Sequence, residues 1–106
     1  MVISLTDQNF EEVVLGSSLP VLVDFWADWC NSCAMVNPVI NALSDVYKDK
    51  AIIAKINVDR DREVAKRYGI IHIPALLIFK NGQLVDKIGG PTPQYELSAK
   101  LDLQLN

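Results

Sequence analysis

Residues 24–38 read DFWADWCNSCAMVNP and contain both cysteines of the chain, Cys30 and Cys33. The stretch follows an apolar run and precedes a predicted helix, so both cysteines are expected in the first helical turn. Residues three apart lie on one face of a helix, and their Cα atoms then fall within the roughly 4.4–6.8 Å that a disulfide tolerates. The spacing therefore predicts a dithiol that can close into a disulfide and reopen.

The position of each cysteine on the helix predicts which sulfur reacts first. The first N–H groups of a helix lack intrahelical partners, and the aligned peptide dipoles place partial positive charge there. A thiol at that end ionises more readily. Cys33 lies one turn further in and is expected to be less exposed. We therefore predict that Cys30 is the nucleophile and Cys33 the resolving thiol.

A C-x-x-C pair can also belong to a zinc site or form an inert structural disulfide. Structural zinc normally takes four Cys or His ligands, and this chain has two cysteines and one histidine. A disulfide that closes so short a loop removes little entropy from the unfolded chain. Both alternatives stay open at this point, but the residues favour redox chemistry without a metal.

Length and composition limit the possible classes of protein. A chain of 106 residues forms one domain, predicted over residues 1–106. The formal charge of −3, without a block of like charges, argues against nucleic acid or an anionic membrane as partner. No apolar segment approaches the roughly 18 residues of a membrane span. Because the N-terminus does not resemble a signal peptide, a reducing, cytoplasmic location is expected.

Hydrophobic periodicity predicts the element order β-α-β-α-β-α-β-β-α. The predicted strands cover residues 2–5, 21–27, 51–58, 75–79 and 84–88, and the predicted helices cover residues 7–15, 30–47, 59–68 and 93–105. Thr6 or Asp7 is expected to cap the first helix and Thr92 the last. Asn81 and Gly82 predict a two-residue hairpin. Parallel βαβ units followed by a hairpin indicate an α/β fold with helices on both faces of a mixed sheet.

Several motifs, taken in this order, resemble the thioredoxin family over residues 5–105. They are VDFWADWCNSC at 23–33, Pro38, KINVD at 55–59, YGI at 68–70, Ile73-Pro74 and FKNG at 79–82. The resemblance implies the thioredoxin fold, a central mixed five-stranded sheet flanked by four helices, with the dithiol at the start of the second helix. It also implies a protein-disulfide reductase whose redox group is the Cys30–Cys33 disulfide, with no other cofactor and no metal.

The resemblance further implies how a substrate binds. It implies that Pro74 follows a cis peptide bond and faces the dithiol, and that the backbone at Ile73 pairs with the substrate peptide. Trp29 would lie beside this groove and Gly89 at its rim. His72 is expected either to tune the thiol by its charge or to line the groove.

Asp24 is the most informative polar residue outside the dithiol. It stands in a strand expected to be covered on both faces, and loss of solvation raises the pKa of a carboxyl group. The resemblance implies that Asp24 assists deprotonation of Cys33. Lys55, in the next buried strand, is expected to lie near Asp24 and modulate it. For both residues the alternative is a structural ion pair.

Two departures from the family pattern lie near the dithiol. Asn31 and Ser32 replace the usual Gly-Pro; serine restores an N–H and adds a hydroxyl, which favours the thiolate of Cys30. Ala34 replaces a common lysine and acts in the opposite direction, but an exposed charge is screened and contributes less. We predict a redox potential tens of millivolts above that of a Gly-Pro thioredoxin.

The expected partners are disulfide-containing proteins and a thioredoxin reductase, either NADPH-linked or ferredoxin-linked. Two other functions stay open. A dithiol oxidase or disulfide isomerase uses the same residues but needs an oxidising compartment. A thioredoxin-fold binding module would recruit a partner through its groove, and its dithiol would be incidental.

Overall fold

The computed structural model describes residues 1–105 as a five-stranded sheet with helices on both faces. Asn106, which the predicted domain includes, lies outside the described residues. The elements are β1 (Ile3–Leu5), a π-helical segment (Glu11–Leu15), β2 (Val21–Trp26), α1 (Asn31–Val46), β3 (Ile52–Asn57), α2 (Arg62–Arg67), β4 (Ala75–Lys80), β5 (Gln83–Gly89) and α3 (Gln94–Asp102). The strand order is β1-β3-β2-β4-β5, in which β1, β3 and β2 run parallel and β4 and β5 pair antiparallel. The predicted element order and α/β fold class are confirmed.

The two faces of the sheet carry separate hydrophobic cores. Side chains alternate between the faces along a strand, so Val23 and Phe25 of β2 pack on one side and Leu22 on the other, with α1 and α3. β2 is buried on both faces, which explains its nearly continuous apolar sequence. Asp24 shares the face of Leu22 and therefore points toward the α1 side of the sheet.

The first predicted helix is a short π-helical segment rather than an α-helix. The N–H of Gly16 donates to the carbonyl of Glu11 at 2.9 Å, which is a bond across five residues. A Cβ atom at Gly16 would lie 2.8 Å from the carbonyl oxygen of Glu12. Glycine therefore ends this segment because the close approach of the backbone leaves no room for a side chain.

Two of the predicted helix caps are corrected by the structure. Thr6 does accept the backbone N–H of Asn9 at 3.1 Å, but the carboxylate of Asp7 accepts two N–H groups at the start of α2 instead. The hydroxyl of Thr92 donates to the carbonyl of Gly90. Pro93 occupies the cap position of α3 without a side-chain bond, so Thr92 was wrong as the N-cap.

Two helices are shorter than predicted, whereas the hairpin is confirmed. The side chain of Asn57 accepts N–H groups of the following loop, which delays the start of α2 until Arg62. α3 ends at Asp102, so Leu105 lies beyond it and is exposed. Asn81 and Gly82 both have positive φ, 52° and 78°, as the tight turn between β4 and β5 requires. None of the helices within residues 1–105 is apolar over enough length to span a membrane.

Candidate active site

The end of β2 and the start of α1 position the two cysteines. Cys30 is the N-cap of α1 rather than part of its first turn, and Cys33 follows one turn inside the helix. The Cα atoms lie 5.3 Å apart and the two sulfurs form a disulfide. The backbone N–H of Cys33 donates to Cys30 Sγ at 3.1 Å. The outer sulfur is therefore the one that faces an unpaired N–H of the helix start.

Both cysteines are buried, and the expected difference in their exposure to solvent is small. Cys30 is 7% exposed and Cys33 is 2% exposed. The hydroxyl oxygen of Ser32 lies 3.5 Å from Cys30 Sγ, and because a disulfide sulfur carries no proton, the hydroxyl is the donor of this contact. Asn31 is exposed and Ala34 lines a small cleft beside the disulfide.

The loop before β4 forms the opposite wall of the site. The Ile73–Pro74 peptide bond is cis, as the resemblance implied. The carbonyl oxygen of Ile73 lies 3.7 Å from Cys30 Sγ. The N–H of Gly90 donates to the carbonyl of Pro74 at 2.9 Å, which holds the end of β5 against this loop. The structure thus brings Ile73, Pro74 and the outer sulfur together.

His72 and Gly89 lie beside this wall and not against Cys30 Sγ. Both line a cleft of about 240 Å³ between the loop before β4 and the end of β5. His72 is exposed, and its imidazole makes no hydrogen bond or ion pair with any of residues 1–105. The structure places His72 beside the cis-proline loop, while its role in a substrate groove and its charge tuning of the thiol stay predictions.

Trp29 is 68% exposed directly before Cys30 and is held by a residue that the sequence analysis missed. Its indole Nε1–H donates to Asp59 Oδ2 at 2.9 Å. Buried Asn57 accepts the N–H of Asp59 at 2.9 Å, which fixes the loop that carries this carboxylate. Both residues stand in the KINVD motif, but no local pattern indicates a partner 30 residues away.

Asp24 is fully buried, and neither carboxylate oxygen has a hydrogen-bond partner within residues 1–105. Burial raises the pKa of Asp24 from 3.8 to about 7, and the charge of Lys55 opposes this rise. Lys55 is the register partner of Asp24 in the neighbouring strand. Its Nζ lies 5.0 Å from the centre of the half-buried Trp26 ring, so the structure shows a cation–π contact rather than an ion pair with Asp24.

No group of three or more potential metal ligands occurs in the part of the chain that the structure describes. The site combines a dithiol, a buried carboxyl and the backbone of Ile73 before a cis-proline. A dithiol that opens and closes in this way exchanges two electrons with another disulfide.

Comparison with known proteins assigns the family. The thioredoxin family model matches residues 1–103. Thioredoxin 1 of Synechococcus elongatus is 47% identical over 102 residues, covering 96% of this chain and 95% of its own. A thioredoxin of Chlorobaculum thiosulfatiphilum is 50% identical over 97 residues, covering 92% of this chain and 90% of its own. The chain belongs to the thioredoxin family, and its Cys30–Cys33 pair makes it a thiol–disulfide oxidoreductase that reduces disulfides in protein substrates.

Proposed function

We propose that the Cys30 thiolate attacks one sulfur of a substrate disulfide and releases the other sulfur as a thiolate. The product is a mixed disulfide between Cys30 and the substrate. Cys33, after losing its proton, attacks Cys30 Sγ and releases the second substrate sulfur, so two electrons pass to the substrate and the Cys30–Cys33 disulfide closes. The contact that carries this assignment is the N–H of Cys33 on Cys30 Sγ, because it stabilises charge on the outer sulfur.

Asp24 is proposed as the base that takes the proton of Cys33. A carboxyl with a pKa of about 7 exchanges protons readily near neutral pH, and Asp24 lies on the α1 face of the sheet, on which Cys33 also stands. Lys55 modulates this base, since its charge favours the ionised carboxylate. Insulin reduction with dithiothreitol as electron donor tests the activity: the wild-type protein should accelerate it, and the double variant Cys30→Ser/Cys33→Ser should not.

The substrate is proposed to bind across the groove between the dithiol and the cis-proline loop. The backbone of Ile73 pairs with the substrate peptide next to Pro74, the exposed ring of Trp29 covers one side, and Gly89 forms the rim. Asn31 and Ser32 tune the outer thiol. A thioredoxin reductase, NADPH-linked or ferredoxin-linked, is proposed to re-reduce the protein in the cytoplasm, and coupled assays with each reductase would distinguish the two.

Replacing Asp59 with alanine is expected to raise the KM for insulin about fivefold while kcat changes little. The substitution removes the acceptor of the Trp29 indole N–H, and such a hydrogen bond contributes about 1 kcal/mol. Asp28→Ala removes a neighbouring exposed carboxylate that makes no hydrogen bond with the indole and serves as the control. Equal KM values for the two variants would contradict a role for Asp59 in holding Trp29.

Replacing Ser32 with alanine is expected to lower the redox potential by about 30 mV. The hydroxyl 3.5 Å from Cys30 Sγ stabilises the thiolate. A hydrogen bond to a charged group contributes about 1.5–3 kcal/mol. The lower end of this range corresponds to about 30 mV, since about 1.4 kcal/mol equals 30 mV for a two-electron couple. Redox titration against glutathione measures the shift, and Ser18→Ala, the same change in an exposed loop before β2 and away from the dithiol, is the control. An unchanged potential in Ser32→Ala would show that the hydroxyl does not tune the site.

A further inference from the structure

A cavity of about 320 Å³ lies at the carboxyl ends of the three parallel strands, and Trp26 separates it from the cleft beside the disulfide. The ends of β1, β2 and β3 and the loop after β3 form its walls. In open α/β sheets, ligands bind in crevices outside the carboxyl ends of the strands. The volume is at the lower end of the range for small-molecule sites, so this cavity has both the location and the size of a ligand site.

Neither of the two cations on the cavity wall makes an ion pair with the described residues. Lys55 Nζ contacts the face of Trp26, and neither this ammonium nor the side chain of Arg60 makes a hydrogen bond or an ion pair with any of residues 1–105. The one carboxylate on the wall belongs to Asp61, whose Oδ1 already accepts the N–H of Asp7 at 3.0 Å. The wall therefore carries a net charge of about +1, from two cations and one carboxylate.

Neutral donors on the same wall are also unpaired. Asn57 is 5% exposed, and its Oδ1 accepts two N–H groups of the loop. Its Nδ2 is left as a donor without an acceptor among the described residues. The hydroxyl oxygen of Thr6 accepts the N–H of Asn9, which leaves the hydroxyl proton free to donate. Both donors can reach solvent at the cavity surface, so a bound acceptor would replace water as their hydrogen-bond partner.

We propose that this cavity binds a small oxyanion, the carboxylate or phosphate group of a metabolite. Lys55 and Arg60 supply the positive charge, and Asn57 Nδ2 and the Thr6 hydroxyl donate hydrogen bonds to the oxygen atoms. Lys55 links the cavity to the dithiol site, because it lines the cavity and its charge also acts on Asp24. A bound oxyanion offsets that charge, which connects occupancy of the cavity to the proposed base; this last step alone rests on the proposed function.

Amide NMR of the oxidised protein tests the proposal. Inorganic phosphate and succinate are titrated separately at constant ionic strength, and the signals followed are the side-chain amide of Asn57 and the indole N–H of Trp26. We expect saturable shifts with at least one of the two anions, and the one that binds identifies the group recognised. Absence of a saturable shift with both anions in the millimolar range would overturn the proposal.

Three variants separate a built site from general charge effects. Arg60→Gln removes one cation, and Asn57→Asp keeps the oxygen that holds the loop but replaces the free donor with a negative charge. Each should weaken binding about tenfold or more. Lys66→Gln makes the same charge change on exposed α2 outside the cavity and should bind as the wild type does. Unchanged binding in Arg60→Gln and Asn57→Asp would overturn the proposal, whatever the insulin assay shows.

Discussion

Replacing Cys30 with serine is expected to lower insulin reduction to the rate without protein. A serine hydroxyl is far less acidic than a thiol and cannot form a disulfide, so the first exchange step is lost entirely. The substitution is nearly isosteric at the N-cap of α1, where serine is itself a preferred residue, so the fold should be retained. The reaction is followed by precipitation of the reduced insulin chains.

Cys33→Ser gives the matched comparison, because it leaves the nucleophile in place and removes the resolving thiol. Its covalent complex with an oxidised substrate should accumulate and should dissociate when dithiothreitol is added. Wild-type activity in Cys30→Ser would contradict the dithiol mechanism, and a trapped complex in Cys30→Ser rather than in Cys33→Ser would reverse the proposed roles.

Replacing Asp24 with asparagine is expected to stabilise the oxidised protein by about 4 kcal/mol above neutral pH and hardly at all near pH 4. Burial raises the pKa of this carboxyl from 3.8 to about 7, so between these values the folded state binds a proton that the unfolded state has lost. The free energy of unfolding of the wild type therefore falls as pH rises from about 4 to about 7. The asparagine variant cannot ionise and avoids this loss.

Urea unfolding of both proteins at several pH values measures the effect. Asp28→Asn, which removes an exposed carboxylate two residues beyond the end of β2, should change the free energy of unfolding by less than about 0.5 kcal/mol. A wild-type free energy of unfolding that stays constant from about pH 4 to about pH 8 would show that burial does not raise the pKa of Asp24. An Asp24→Asn variant whose stability gain does not depend on pH would show the same.

Features set by neighbouring residues were predictable from the sequence. The apolar run at 21–27 indicated a strand covered on both faces, and that burial in turn predicted the direction of the Asp24 pKa shift. The Asn81-Gly82 pair predicted the hairpin because its two positive φ angles suit few other residues. The C-x-x-C spacing placed two sulfurs within bonding distance. In each case the cause lies within a few residues of the effect.

Features set by tertiary contacts were not predictable in this way. Asp7 caps a helix that begins 55 residues later, at Arg62, and Asp59 holds a tryptophan 30 residues earlier in the chain. The cis bond before Pro74 came from the family resemblance alone, since about 5–6% of X-Pro bonds are cis and sequence does not mark which. The side chain of Lys55 contacts Trp26 rather than pairing with Asp24, an outcome of local geometry that register alone does not decide.

The central claim is that the outer sulfur is the reactive one because it lies at the start of α1. Alkylation of the fully reduced protein with limiting iodoacetamide at neutral pH, followed by peptide mass spectrometry, measures this directly, because the thiolate is the species that reacts. We expect the label on Cys30, with Cys33 modified only after unfolding. Preferential labelling of Cys33, or equal labelling of both thiols in the folded protein, would contradict the account.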